Sequence, residues 1–282
     1  MLICGRNEKI DEPCALLLGG FDGLHVGHET LLSRARETGL PVGITAITNL
    51  KAGGDLFTLA ERKHVFQKEG VSFVVELPFE EIKDISAAQF LADLFANVRA
   101  EAVFCGADFR FGKDAAGSAE FLRQNAPCPV EICPIQMRGG KKVSITEVKE
   151  FLGKGDLPAV NSLLSGGYFV QGVVEHGRQV GRTYGFPTAN VSFSAEKYLL
   201  REGVYRGYVE TGGKTYSSIV NVGARPTFGV EQKKIEAYLH RFDGDLYGKI
   251  IRIYPTDFVR PIVKFASVEE LKSQLKKDLE TL

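Results

Sequence analysis

Apolar and polar positions follow two different rhythms along this chain. Short apolar runs at Ala15 to Leu18, Val42 to Ile47, Val71 to Leu77, Ala102 to Cys105 and Val130 to Ile135 have the length of buried strands. Between them, His28 to Thr38, Leu59 to Lys68 and Ala87 to Asn97 place apolar residues three and four apart, the spacing of one helix face. Strands alternating with helices predict a parallel α/β sheet. Two short helices, Ser144 to Lys154 and Leu157 to Leu164, are expected on either side of Gly155, with Ser165-Gly166-Gly167 stopping the second. A domain boundary is expected there, giving domains 1–164 and 165–282. After Tyr168 the rhythm shortens to alternating segments rich in Val, Ile and Tyr, separated by turns such as Thr211-Gly212-Gly213-Lys214 and Asp243-Gly244-Asp245. That spacing predicts an antiparallel sheet or small barrel. Ser267 to Leu282 opens with a Ser-Val-Glu-Glu capping pattern and puts Val268, Leu271, Leu275 and Leu279 on one face, a C-terminal helix over the barrel.

The length of 282 residues fits two domains, and 44% hydrophobic with 25% charged residues excludes a disordered or collagen-like chain. Lys plus Arg number 35 and Asp plus Glu 35, so no bulk field holds a nucleic acid or an anionic membrane, and any nucleotide must be held by a site. The five cysteines contain no CxxC pair and are expected as reduced thiols of a cytoplasmic protein. No apolar run approaches the ~20 residues of a membrane span, and Met1 to Pro13 carries charges where a secretory leader needs an apolar stretch.

The string Leu18-Gly19-Gly20-Phe21-Asp22-Gly23-Leu24-His25-Val26-Gly27-His28 follows an apolar strand and leads into a helix. A glycine-rich turn of this kind lets backbone amides approach phosphates at a helix N-terminus. It is neither a GxGxxG fingerprint nor a P-loop. His25 and His28 can both donate hydrogen bonds to charge developing on an α-phosphate. A lone HxxH more often caps a helix, but the full string resembles the HxGH signature of the nucleotidylyltransferase superfamily, in the form found in its flavin adenylyltransferase branch. The resemblance implies nucleotide contacts at Gly20, Phe21, Asp22 and Gly27. Phe104-Cys105-Gly106-Ala107-Asp108-Phe109-Arg110-Phe111-Gly112 is similar to the GxDFRFG segment of bacterial FAD synthetases, which implies that Asp108 and Arg110 face the flavin. Val143-Ser144-Ile145-Thr146-Glu147-Val148-Lys149 aligns with the second phosphate motif of that family, usually ISSTxIR, and implies nucleotide contacts at Ser144, Thr146 and Lys149. Ile145 replaces a serine and Lys149 an arginine, and a lysine lacks the bidentate guanidinium grip on phosphate. The TFxPHP-like string of the family is missing at Ile44 to Leu50.

The second constellation runs from His176 to Asn190 and ends in Phe186-Pro187-Thr188-Ala189-Asn190. Its glycines, Gly181 among them, permit a loop to lie against phosphates, and the Thr188 hydroxyl and Asn190 carbonyl are oxygen ligands suited to Mg²⁺. The string resembles the GRxxGFPTAN signature of riboflavin kinases. The likeness continues through Asn221 to Gly229, Phe242 to Gly248 and Val259 to Phe265. It implies that Glu236 is the general base that takes the proton of a riboflavin hydroxyl, and that Asn221 and Arg260 contact the flavin.

Together the motifs resemble the bifunctional prokaryotic riboflavin kinase/FMN adenylyltransferase family, also called FAD synthetases. The family implies a Rossmann-like α/β nucleotidylyltransferase domain followed by an antiparallel β-barrel riboflavin kinase domain with a C-terminal helix. The implied substrates and products are riboflavin, FMN and FAD, with ATP as co-substrate and Mg²⁺ as cofactor. Ile145, Lys149 and the missing string leave open a riboflavin kinase whose adenylyltransferase half is weak or inactive. A flavin- or nucleotide-binding regulator without catalysis is a further alternative, against which Thr188, Asn190 and Glu236 argue.

Overall fold

The computed structural model describes residues 1–49, 54–176, 186–194, 197–198, 200–227 and 230–282. The chain divides into two compact units, Met1–Ile145 and Thr146–Leu282.

Six strands build the main sheet of the first unit: β1 (Leu2–Cys4), β2 (Ile10–Leu18), β3 (Val42–Thr48), β4 (Phe73–Pro78), β5 (Val98–Gly106) and, after the two-residue pair β6 (Arg110–Phe111) and β7 (Gly117–Ser118), β8 (Val130–Cys133). They lie in the order β1-β4-β3-β2-β5-β8, every pair parallel. The connecting helices are α1 (Glu29–Glu37), α2 (Leu59–Lys68), α3 (Phe79–Ile82), α4 (Ala87–Asn97) and α5 (Ala119–Asn125). Leu16 and Leu18 pack in one cluster with Phe90, Leu91 and Leu94, while the intervening Ala15 and Leu17 are equally buried. Both faces of the sheet are covered, which is why these strands read as continuous apolar runs rather than alternations. The predicted strands are all present, and β1 is an addition that hydropathy does not mark.

From β2 the chain moves to β3 on one side, and β5 later enters on the other. The carboxyl ends of β2 and β5 therefore flank the topological switch point, where open α/β sheets bind their ligands. After β8 a small hairpin follows, β9 (Met137–Arg138) with β10 (Lys141–Lys142).

The two short helices, α6 (Ile145–Lys154) and α7 (Leu157–Leu163), form where expected, and the boundary expected at 164 lies at their far end. Gly155 separates them at φ +79°, a conformation that side-chain-bearing residues rarely adopt. Leu157, Val160 and Leu163 of α7 are buried.

The barrel strands are β11 (Val170–Val173), β12 (Thr188–Ser192), β13 (Gly203–Thr211), β14 (Lys214–Thr227), β15 (Val230–Leu239) and β16 (Ile250–Arg260). They form one antiparallel sheet in the order β11-β16-β13-β14-β15-β12. A bridge between Glu175, just past β11, and Asn190 on β12 nearly closes it into a barrel. Gly212 and Gly213, at φ +56° and +74°, make the two-residue turn between β13 and β14. Two positive φ values are what a type I′ hairpin demands. The last helix, α8 (Val268–Leu279), is capped by Ser267, whose hydroxyl accepts the Glu270 N–H at 3.2 Å. Its apolar face is only half-buried, and its enclosed residue is Asp278, 1% exposed, gripped by both arms of Arg260 at 3.0 and 2.7 Å. No helix among the described residues is long and apolar enough to cross a membrane.

Candidate active sites

In the first unit the glycine-rich turn leaves β2 under tight local constraint. The Thr45 hydroxyl on β3 accepts the Gly19 N–H at 3.2 Å and donates to the Gly19 carbonyl at 2.9 Å, and the Ile47 N–H reaches the Gly20 carbonyl at 3.0 Å. Phe21 takes φ +37°, unusual for an aromatic residue, and a Cβ on Gly19 would stand 2.7 Å from its ring. That ring also lies 4.6 Å from the His28 ring, centroid to centroid. A Cβ on Gly20 would meet nothing within 4 Å, so this residue borders open space.

The two histidines are brought together. A 3₁₀ turn, Val26–His28, precedes α1, and the His25 and His28 rings stack at 3.7 Å and 18°. Gly27 is required by this stack, because a Cβ there would approach the His25 ring to 2.8 Å. His25 is 8% exposed, and its Nδ1 is buried with no hydrogen-bond partner among the described residues. Burial pushes its pKa from 6.5 down to about 4. Burial, and then the neighbouring His25, drives His28 well below 6.5. Both rings are neutral at pH 7, each carrying one N–H donor.

Asp22 turns inward. Its carboxylate accepts the backbone N–H of Leu56 at 2.8 Å and of Phe57 at 3.3 Å, and pairs with Arg62 at 3.0 Å. Asp108, just past β5, forms an ion pair with Lys142 at the end of the β9–β10 hairpin, and both act electrostatically on His25. Arg110 is exposed on β6, flanked by Phe109 and Phe111, whose rings stack at 5.3 Å. The hairpin is docked onto the histidine turn: Gln136 donates to the Thr30 hydroxyl at 2.9 Å, and Val143 would sit 3.7 Å from a Cβ on Gly27. The second phosphate string straddles the division between units. Ser144 directly precedes α6, Thr146 is exposed in its first turn, and Lys149 is buried with its Nζ 5.5 Å from the Tyr198 ring centroid.

In the barrel, strand register does the assembling. Glu236 on β15 is paired with Asn190 on β12 and with Asn221 on β14, so the three residues form one row across three neighbouring strands. Thr188 stands two residues along, opposite Tyr238. Ile235, Ala237 and Leu239 are buried in the core, which leaves Lys234, Glu236 and Tyr238 on the outer face. Ile262, past β16, lies over Gly223 on that face, where a Cβ would come within 2.7 Å of it. The Asn190 amide nitrogen donates to the Thr188 carbonyl at 3.3 Å, so its oxygen is the atom offered to a ligand. The Thr188 hydroxyl and the Asn190 amide oxygen are hard oxygen donors, which fit Mg²⁺ rather than a softer metal. Gly181 lies outside the described residues, as do the other residues of 177–185 and Phe228-Gly229.

Sequence reasoning missed three groups. Lys142 and Arg62 in the first unit are two. The third is Lys234, which pairs at 3.1 Å with Glu175, the residue whose backbone bridges Asn190 at the end of the row. Only the spacing of Lys234 to Glu236, two residues apart on one strand, was available as a signal.

Each unit thus offers polar groups suited to a nucleotide, and the class is a two-domain nucleotide-dependent transferase. Residues 7–147 match the FAD synthetase family model and residues 164–282 the riboflavin kinase family model. The bifunctional riboflavin kinase/FMN adenylyltransferase of Escherichia coli K12 is 32% identical over 96% of this chain and 92% of that protein. Its counterpart in Bacillus subtilis is 29% identical over 93% and 89%. A solved structure from Streptococcus pneumoniae, described as a macrolide-efflux protein, superposes with a TM-score of 0.86 at 28% identity, covering 99% of this chain and 98% of that one. The chain belongs to the bifunctional riboflavin kinase/FMN adenylyltransferase family.

Proposed function

We propose that the barrel phosphorylates the riboflavin 5′-hydroxyl with ATP and that the α/β domain adenylylates the resulting FMN, releasing pyrophosphate and forming FAD in the cytoplasm. The observation that carries the kinase half is the Asn190–Glu236–Asn221 row. A primary alcohol is a poor nucleophile at pH 7, and Glu236 accepts its proton as it attacks the γ-phosphate. Thr188 and Asn190 hold Mg²⁺, which spreads the charge of the phosphates when bound. Asn221 and Arg260 position the flavin, Arg260 while tethered to Asp278.

In the other half, the stacked neutral imidazoles of His25 and His28 donate hydrogen bonds to the charge that grows on the α-phosphate as the FMN phosphate attacks and pyrophosphate leaves. Buried donors need little reorganisation at that moment. Asp108 and Arg110 bind the flavin, and Ser144, Thr146 and Lys149 the nucleotide. A second reading, in which this half is weak, draws support from Lys149, buried against Tyr198, and from the apolar Ile145. The experiment is a chromatographic assay with riboflavin, ATP and Mg²⁺ that reads FMN and FAD separately. FMN and FAD both appearing supports the two-activity reading, FMN alone the second, and neither product overturns both.

A further inference from the structure

Arg62 takes no part in the chemistry above, yet its side chain is fully enclosed. Its guanidinium serves three separate pieces of chain. Nε donates to the Phe57 carbonyl at 2.9 Å, Nη1 to the Ile47 carbonyl at 2.6 Å, and Nη2 to Asp22 at 3.0 Å and Asp55 at 2.6 Å. Asp55 in turn accepts the N–H of Asn49, which sits at φ +59° where β3 ends. Asp22 accepts the N–H groups of Leu56 and Phe57. Ile47 closes the circuit, because its N–H is bound to Gly20 while its carbonyl is bound to Arg62.

A buried ion cluster of this kind is a poor device for stability alone, since apolar replacements of similar volume often do as well. What it fixes is relative position. Asp22 directly follows Phe21, whose ring packs against His28, and stands three residues before His25. A shift of Asp22 is passed through this short turn to both imidazoles.

We propose that Arg62 is a positioning residue for adenylyl transfer: through Asp22 and Asp55 it locks the histidine turn to the end of β3 and to residues 55–57. This rests on the reading that His25 and His28 stabilise the transferring α-phosphate. A lysine would keep the charge but lacks the planar fork that reaches three directions at once.

The test compares the full-length wild type with Arg62→Lys, Asp22→Asn and the double variant in FAD formation from supplied FMN and ATP. Folded fraction at the assay temperature is read by circular dichroism, and the ring resonances of His25 and His28 by ¹⁵N NMR. A misplacement on the order of 1 Å at the reacting centre costs about 100-fold. The expected result is a roughly 10- to 100-fold fall in kcat per folded molecule for each single variant, with KM for ATP and FMN within about threefold. The His25 and His28 resonances should shift, and the double variant should be no worse than either single one, because both cut one link. If the folded single variants keep wild-type kcat and unshifted histidine resonances, or if the losses multiply in the double variant, the proposal is wrong. Should Arg62→Lys fail to fold, the isosteric Asp22→Asn decides alone by the same readouts. Wild type forming no FAD would instead sink the adenylyl-transfer reading, which separates the two failures.

Discussion

The stacked histidines make a pH prediction that can be worked through. In the unfolded chain each imidazole takes a proton near pH 6.5, whereas folded His25 holds out to about 4 and His28 is also depressed. As pH falls below 6.5 the unfolded state binds protons first, so the folded first domain loses stability. The His25 contribution is complete above the unfolded pKa, is lost progressively between 6.5 and about 4, and is flat below that. At about 1.4 kcal/mol per pH unit the whole interval is worth about 3 kcal/mol, of which about 2 kcal/mol is lost by pH 5. Most carboxylates titrate lower, so the window from about pH 7.5 to 5 belongs largely to histidine. The assay is hydrogen exchange at the amides of Leu16 to Leu18, buried in the central strand and reporting the opening of the domain. Wild type should lose about 2 kcal/mol more than His25→Gln across that window, and still more relative to the variant with His28→Gln added. Parallel curves for wild type and His25→Gln would mean that the imidazole is solvated, and would refute the buried, neutral pair.

Glu236→Gln should lower FMN formation by about two to four orders of magnitude, the usual range for a lost general base, with little change in riboflavin binding as read by fluorescence quenching. His28→Ala should abolish FAD formation from FMN and ATP while leaving FMN formation from riboflavin intact, measured on the same chromatogram. A fragment from Gly167 to Leu282 should fold and phosphorylate riboflavin, but be less stable to urea than one from Thr146. It lacks the buried Leu157, Val160 and Leu163, each worth about 1.5–3 kcal/mol. Asp278→Ala should release α8, costing about 3–5 kcal/mol because the Arg260 guanidinium loses its enclosed partner, and amide protection across Val268–Leu279 should vanish.

Much of this was legible in the sequence, for physical reasons that also explain the misses. The runs at Ala15 to Leu18 and Val42 to Ile47 are apolar because helices cover both sheet faces, and the Gly212-Gly213 turn is demanded by its φ values. Strand β1 escaped because three residues next to a charged stretch carry no period. The β9–β10 hairpin escaped because its strands are two residues each, although Gly139-Gly140, both at positive φ, marked its turn. Nothing in the sequence marks Arg62 until the fold brings Asp22, Asp55 and the Ile47 carbonyl around it. The helix α8 turns its expected face inward, with Val268, Leu271, Leu275 and Leu279 half-buried, but the most enclosed residue on that face is the charged Asp278, which no apolar spacing marks. Glu236 and Asn190, taken from separate motif strings, become neighbours through backbone pairing, which fixed spacing along each strand already encodes.

The row of Asn190, Glu236 and Asn221 sets how this barrel tolerates insertions and deletions. Removing one residue from β15 ahead of Glu236 reverses the parity of everything beyond it, turning the carboxylate into the core and Ile235 or Ala237 out to the surface. Adding two residues there instead keeps the parity yet carries the carboxylate past Asn190, to face Thr188. Lengths within β12, β14 and β15 are therefore countable quantities fixed by the row, and the connection from Leu239 to Ile250 is tied down as well, since the Gly248 N–H donates to the Val174 carbonyl at 3.0 Å and the Tyr247 ring stacks on His176 at 3.9 Å.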